Sequence, residues 1–210
     1  MAQREDGKET RSRILGCACE IFAEKGYQTA KVADICQLAG ANVAAVNYYF
    51  GDKATLYTEA WQQAFKKCSE LALPDVTGTS PEEQLRIHIH SLLQNFTDQS
   101  DRGQFTRLYL MELTNPTGLI HNIWHELIEP RRQIILEVIR SIMETKADDE
   151  AVFFCEMSII SQCRALMTTR PSDMEYMLGQ PISSDLIMRL ADHITRFSLA
   201  GIKAVVKRKA

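Results

Sequence analysis

The residues best suited to chemistry with another molecule lie in one stretch, Lys31-Val-Ala-Asp-Ile-Cys-Gln-Leu-Ala-Gly-Ala-Asn-Val-Ala-Ala-Val-Asn-Tyr-Tyr-Phe50. Two short amphipathic segments are joined through Gly40, which is the plan of a helix-turn-helix. On the second segment the outward positions are Val43, Ala44, Asn47 and Tyr48, where a merely solvated face would carry Lys and Glu. An Asn can bond an adenine edge bidentately, and Ala or Val can touch a thymine methyl. Tyr48, Tyr49 and Lys53 can hold phosphates, which fixes orientation without reading sequence. Lys31 adds charge at the start of a helix, where backbone N–H groups already favour a phosphate. On composition alone, a helical hairpin with no nucleic-acid role fits the stretch equally well.

Other reactive residue types form weaker patterns. His121 and His125 are four apart with Glu126 and Glu129 close by, a spacing that can hold a metal on a helix face. The Glu that directly follows the first His in metalloproteases is absent, so no metal site is predicted. His88 and His90 point to opposite sides of a helix. The six cysteines contain no C-x-x-C pair, and they read as small buried fillers. Cys155 and Cys163 would need exposed, thiolate-favouring surroundings to act as a redox switch, whereas Phe153, Phe154 and Ile159 beside them suggest burial. There is no nucleophile elbow, triad order or phosphate-binding loop. Arg107, Glu112, His121 and His125 could in principle serve an acid–base site, yet nothing in their spacing supports one. The chain is therefore expected to be neither an enzyme nor a cofactor binder.

The elements that must carry these residues are helical throughout. Ile14, Leu15, Ala18, Ile21 and Phe22 mark one face of a first helix over about 8–25, with Gly26 as its stop. A short helix over 31–39, the Gly40 turn and an Asn42 cap lead to a third through about Tyr48. Asp52 caps a fourth helix carrying Leu56, Ala60, Trp61, Ala64, Phe65 and Cys68. The segment from Leu73 to Pro81, rich in Pro, Gly and hydroxyl residues, is the clearest boundary. Beyond it, periodicity predicts helices near 81–99, 102–114, 117–128, 130–145, 148–169 and 183–205. Ser80 is placed as N-cap and Pro81 at N1. Pro130 starts or kinks a helix, and Pro171, Gly179 and Pro181 mark a loop before the last one.

Hydrophobic residues make up 45% and charged residues 24% of the 210, an ordinary globular balance. No apolar run is long enough to span a membrane, and the polar start lacks a secretion signal, so a cytoplasmic location is expected. The net charge of −3 divides unevenly: residues 1–68 hold nine Lys/Arg against eight Asp/Glu, and the remainder fifteen against nineteen. A near-neutral head on an acidic body argues against a non-specific DNA-coating protein.

Residues from about Lys8 to Cys68 resemble the DNA-binding domain of TetR-type transcriptional regulators. The resemblance runs through Ile14–Phe22, Gly26-Tyr27, Val32–Ile35, Ala39-Gly40, Tyr48-Tyr49-Phe50, Lys53 and Leu56-Tyr57. It is most like the CecR-type branch, to which Leu110–Ile139, with Asn115-Pro116-Thr117 and His125-Glu126, is similar more loosely. The resemblance implies an all-α fold: a three-helix helix-turn-helix head over 1–70 and a larger helical effector-binding and dimerisation domain over 71–210. It implies DNA contacts at Lys31, Ala33, Asn42, Val43, Ala45, Asn47, Tyr48, Tyr49 and Lys53. It also implies a homodimer through the last two helices, double-stranded operator DNA and a small-molecule effector as partners, and repression relieved by that effector. Asn47 stands where the family most often has Tyr, and Val43 where Lys or Arg is common, so base preference does not carry over.

Aromatic and Met-rich helices in the body can line a pocket for varied apolar ligands, although most such residues serve as core. The candidates are Phe105, Tyr109, Glu112, Trp124, His125, Met157 and Arg164. For the dimer, the stripe Leu186, Ile187, Leu190, Ile194, Phe197, Leu199 and Ile202 is expected to face a partner, the alternative being that it fills the monomer core.

Overall fold

The computed structural model describes residues 2–69, 76, 78–143 and 149–207. Among them there is no strand, and helices form two compact units, residues 1–71 with 99–127 and residues 72–98 with 128–210. The predicted boundary at 70/71 and the expected helix start at Asp148 lie outside the described residues.

The first unit begins with α1 (Ala2–Thr29), α2 (Val32–Ala39), α3 (Val43–Phe50) and α4 (Lys53–Ser69). The punctuation follows from side chains. Gly26 interrupts α1 at φ 69, a left-handed conformation that a Cβ would strain. Asn42 accepts a hydrogen bond from the Ala45 amide at 2.8 Å. Asp52 accepts from the Thr55 amide at 2.7 Å, so both caps satisfy donors that a helix start leaves unpaired. The apolar face of α1, with Ile14, Ala18 and Phe22 fully buried, packs on Leu56, Ala60, Trp61 and Ala64 of α4.

The same unit takes back a later part of the chain. A single 3-10 turn (Asp101–Gly103) leads into α6 (Gln104–Thr114), which packs against α1 and α4. Met111 of α6 packs beside Gly26, its sulfur 3.5 Å from where a Cβ on that glycine would stand, an ordinary packing distance. The predicted helix over 117–128 is shorter and irregular. Gly118 turns at φ 74, α7 covers only His121–Ile123, and a π-helical turn (Trp124–Ile128) runs into α8 (Glu129–Met143).

The second unit is α5 (Pro81–Thr97), α8, α9 (Asp149–Thr168), α10 (Pro171–Leu178) and α11 (Ser184–Lys207). Leu85, Ile89 and Leu93 of α5, Ile135 and Ile139 of α8, Val152, Ile159 and Cys163 of α9, and Ala191, Ile194 and Ile202 of α11 form its core. The segment expected as a loop is in part a helix: Pro171 occupies the first turn of α10 and Gly179 closes it at φ 65. Proline is tolerated there because the N–H it lacks has no intrahelical partner. Arg132 donates to both oxygens of Glu156, at 2.6 Å each, which clamps α8 to α9 through a buried carboxylate.

His88 sits in this unit beside a small cavity of about 50 Å³ with Gln84, Ser91, Ile134 and Val138. Burial, with the Arg131 guanidinium adding to it, pulls its pKa down to about 4. An unfolded His titrates near 6.5 and binds a proton that the folded one refuses. Stability should therefore be full above about pH 6.5 and fall as the pH drops from there toward 4, by roughly 2 kcal/mol after allowing for partial exposure. Denaturant titrations at pH 7.5 and 5 should show this loss in the native chain and a smaller one in His88→Leu.

Candidate nucleic-acid interface

At 100° per residue, Val43, Ala44, Asn47 and Tyr48 occupy an arc of about 140° on α3, with Asn47 and Ala44 in its middle. The structure leaves this arc open: Val43 is 49% and Tyr48 82% exposed, and Ala44 and Asn47 are exposed beside them. Val46 and Phe50, about 60° and 20° beyond the Val43 edge of that arc, are both buried. Burying these two fixes which way the helix points, so the outward set follows from the apolar pair.

The flanking residues have more constrained settings. Tyr49 is half-buried, meets Tyr48 edge to face at 5.0 Å, and brings its hydroxyl within 3.3 Å of where a Cβ on Gly7 of α1 would stand. Ala45 is half-buried, while Lys31 and Ala33 are exposed at the start of α2. The Lys53 ammonium lies 4.6 Å over the Tyr27 ring, and burial lowers its pKa. Asn42 is exposed, but its carbonyl oxygen is engaged as the cap of α3.

Sequence reasoning missed the residues that brace this surface. Arg13 donates to the Ala39 carbonyl at 2.7 Å, which pins the end of α2 to α1. Arg11 pairs with Glu59 of α4 and lies 4.8 Å over the Phe50 ring. Lys25 bonds Asp34 at 2.8 Å. The available signal was that Arg11 and Arg13 fall beside the apolar stripe of α1, where a long side chain can reach a neighbouring helix.

The effector-pocket candidates divide between the units. Phe105 meets Trp61 and Phe65 edge to face at 5.4 and 5.2 Å and stacks toward Tyr109 at 6.3 Å. Tyr109 in turn stacks on Trp124 at 5.7 Å. Glu112 is buried and accepts from the Tyr57 hydroxyl at 3.0 Å and the Thr117 amide at 2.7 Å. His125 is exposed and touches His121 edge to face at 4.7 Å. Met157 and Arg164 belong to α9 of the second unit, Met157 being 50% exposed. Among the described residues no group of three His, Cys, Asp or Glu could hold a metal ion.

In the second unit, Ala191, Ile194 and Ile202 of α11 fill the monomer core, with Ile187, Leu190 and Leu199 packed against it. The exposed apolar residues on these helices are instead Phe197, Met188 and Val205 on α11 and Phe153, Phe154 and Met157 on α9. A shallow groove of about 300 Å³ runs between the two helices past Phe154, Ser158, Phe197, Ser198 and Gly201.

Comparison with known proteins agrees with this architecture. Residues 14–60 match the family model "Bacterial regulatory proteins, tetR family". Residues 81–202 match the model of the C-terminal domain of the HTH-type transcriptional dual regulator CecR. The HTH-type transcriptional regulator AcrR of Shigella flexneri is 23% identical over 205 residues, 95% of this chain and 79% of that protein. The probable HTH-type transcriptional regulator YttP of Bacillus subtilis is 26% identical over 183 residues, 86% of this chain and 83% of that one. Among solved structures, a transcriptional regulator from Rhodococcus sp. Rha1 superposes with a TM-score of 0.66 at 16% identity, covering 91% of this chain and 96% of its own. The TetR family regulator PfmR from Thermus thermophilus gives 0.64 at 21%, covering 88% and 97%.

Proposed function

Since the chain belongs to the TetR family of bacterial regulatory proteins, with a CecR-type C-terminal domain, we propose that it is a cytoplasmic repressor, released from a near-palindromic operator by a small-molecule effector. The observation that carries the DNA reading is the outward arc of α3, exposed and without charge, held in place by Val46 and Phe50. Base edges are read by such side chains, whereas phosphates are held by the cations and hydroxyls around them. Lys31, Tyr48, Tyr49 and Lys53 take the phosphate role. Val43, Ala44 and Asn47 face the groove, Ala33 and Ala45 border them, and Asn42 sets the helix start.

Two copies joined through α9 and α11 would present two recognition helices, and these must sit about 34–36 Å apart, or a multiple of that, to enter successive major grooves. The exposed Phe154 and Phe197, with Ser158, Ser198 and Gly201 allowing close approach between them, support that interface. A Phe197→Glu chain should fold yet run as a monomer in sedimentation at micromolar concentration, since four helices cannot bury an unpaired carboxylate at their centre. A Phe197→Glu dimer of unchanged affinity would place the interface elsewhere.

The effector acts through α6. Phe105, Tyr109 and Trp124 form a continuous aromatic run in the first unit, and α6 is bonded to α4 through Glu112 and Tyr57. A ligand that inserts against this run, with Glu112 and His125 as its polar candidates, would move the support of the reading head. Met157 and Arg164 on α9 are the candidates for ligand contact within the second unit. The ligand releases DNA only if it binds the DNA-incompetent state more tightly. Because the C-terminal family model carries the name of a dual regulator, in-vitro transcription from the bound promoter is the deciding experiment. Loss of transcript on adding the protein supports repression, and a gain supports activation.

A further inference from the structure

We infer that α3 reads A·T base pairs, with Val43 and Ala44 against thymine methyl groups and Asn47 on the edge of a neighbouring adenine. The inference rests on the operator-binding reading above and adds what that operator must contain. From Leu38 to Gly51 the chain has no Lys, Arg, Asp or Glu. Guanine is read in the major groove mainly by Arg or Lys on O6 and N7, and cytosine by a carboxylate on N4. Neither chemistry is present on this helix or its turn.

What is present suits the other base pair. Val43, at 49% exposure, and Ala44 offer methyl groups at the N-terminal end of α3, the end that approaches base edges in helix-turn-helix proteins. Asn47 lies one turn on, about 6 Å along the axis, which is roughly two base-pair rises. The side-chain oxygen of Asn42 is engaged by the Ala45 amide, so Asn47 is the amide on this helix with both its donor and its acceptor open to a base. An adenine presents the matching pair, the N7 acceptor and the N6 donor. A G·C pair under Val43 would lose water from its polar edge and gain no partner, which disfavours it actively.

The main test alters the DNA and leaves the protein native. Sites are selected from random duplexes with the full-length chain, and each thymine in a half-site is then replaced by deoxyuridine, which removes only the C5 methyl. Adjacent A·T pairs should emerge in each half-site. Affinity should fall about fourfold for each buried methyl removed. In Val43→Ala the penalty at one thymine should shrink while the others remain. Replacing adenine with 7-deazaadenine should weaken binding by the native chain and leave Asn47→Ala unaffected. Selected sites with G·C pairs facing α3, or uracil bound as well as thymine, would overturn the inference and leave operator binding intact. Failure to select any sequence would overturn both.

Discussion

Asn47→Ala should lose between about 30-fold and 10⁴-fold in affinity for the operator while keeping its fold, its dimer and its non-specific DNA binding. Asn47 is exposed in the middle of the outward arc of α3, and Ala is a better helix former than Asn, so the helix has no reason to unwind. A bidentate Asn–adenine pair discriminates by about 1–3 kcal/mol, and a two-fold dimer makes it twice, which gives the range stated. No charge is removed, so the slope of affinity against salt should stay as in the native chain. Tyr48→Phe provides the contrast: it weakens all sequences alike, because a hydroxyl on a phosphate carries no base information. Competition binding at several salt concentrations separates the two behaviours. An operator affinity within about threefold of native for Asn47→Ala would remove this side chain from the readout.

The second large effect is expected at Glu112. Its carboxylate is buried and accepts from the Tyr57 hydroxyl, the Thr117 amide and the Thr117 hydroxyl, the last at 3.0 Å. Burial pushes the Tyr57 phenol pKa up, with the negative Glu112 adding to it, so the phenol remains a donor across the working range. In Glu112→Ala three donors lose their acceptor, the buried Tyr57 hydroxyl at about 1–3 kcal/mol and the two part-buried Thr117 donors at less. Unfolding free energy should fall by roughly 3 kcal/mol, or about 10 °C in Tm for a chain of this size. Glu112→Gln retains one acceptor oxygen and should lose about half as much. The functional consequence follows from the same bond. With α6 tied less firmly to α4, an effector should release DNA less completely from Glu112→Gln than from the native chain. A thermal scan of Glu112→Ala matching the native one would show that this bond does not hold the unit together.

How much of this was legible in the sequence depends on the kind of residue that sets each feature. The first four helices were readable because local chemistry ends them: Gly40 at φ 58 after α2, Asn42 before α3 and Asp52 before α4. The outward face of α3 was readable for a similar reason, since Val46 and Phe50 at i and i+4 fix the inward one. The same kind of punctuation misled at Pro171 and Gly179. Proline and glycine mark a loop when nothing lies between them, yet here they enclose the two turns of α10. The π turn over Trp124–Ile128 carries no residue pattern of its own.

Features set by packing between distant segments were less visible. That 99–127 joins the head depends on Met111 meeting Gly26 and Glu112 meeting Tyr57, contacts with no signature along the chain. The apolar stripe of α11 read as one surface, but it divides between residues buried in the monomer, such as Ile194, and residues left exposed, such as Phe197. Periodicity shows that a face is apolar, and only the fold shows how much of it is already covered.

The central claim is that α3 in a two-fold pair reads a defined DNA sequence, and footprinting tests it most directly. Genomic fragments retained by the full-length protein at physiological salt, with competitor DNA present, would be mapped base by base. The account predicts a protected near-palindrome whose half-site centres lie one helical turn, or a multiple of it, apart. Retention of all fragments alike, vanishing together as salt is raised, would contradict it, because that is the behaviour of phosphate contacts alone.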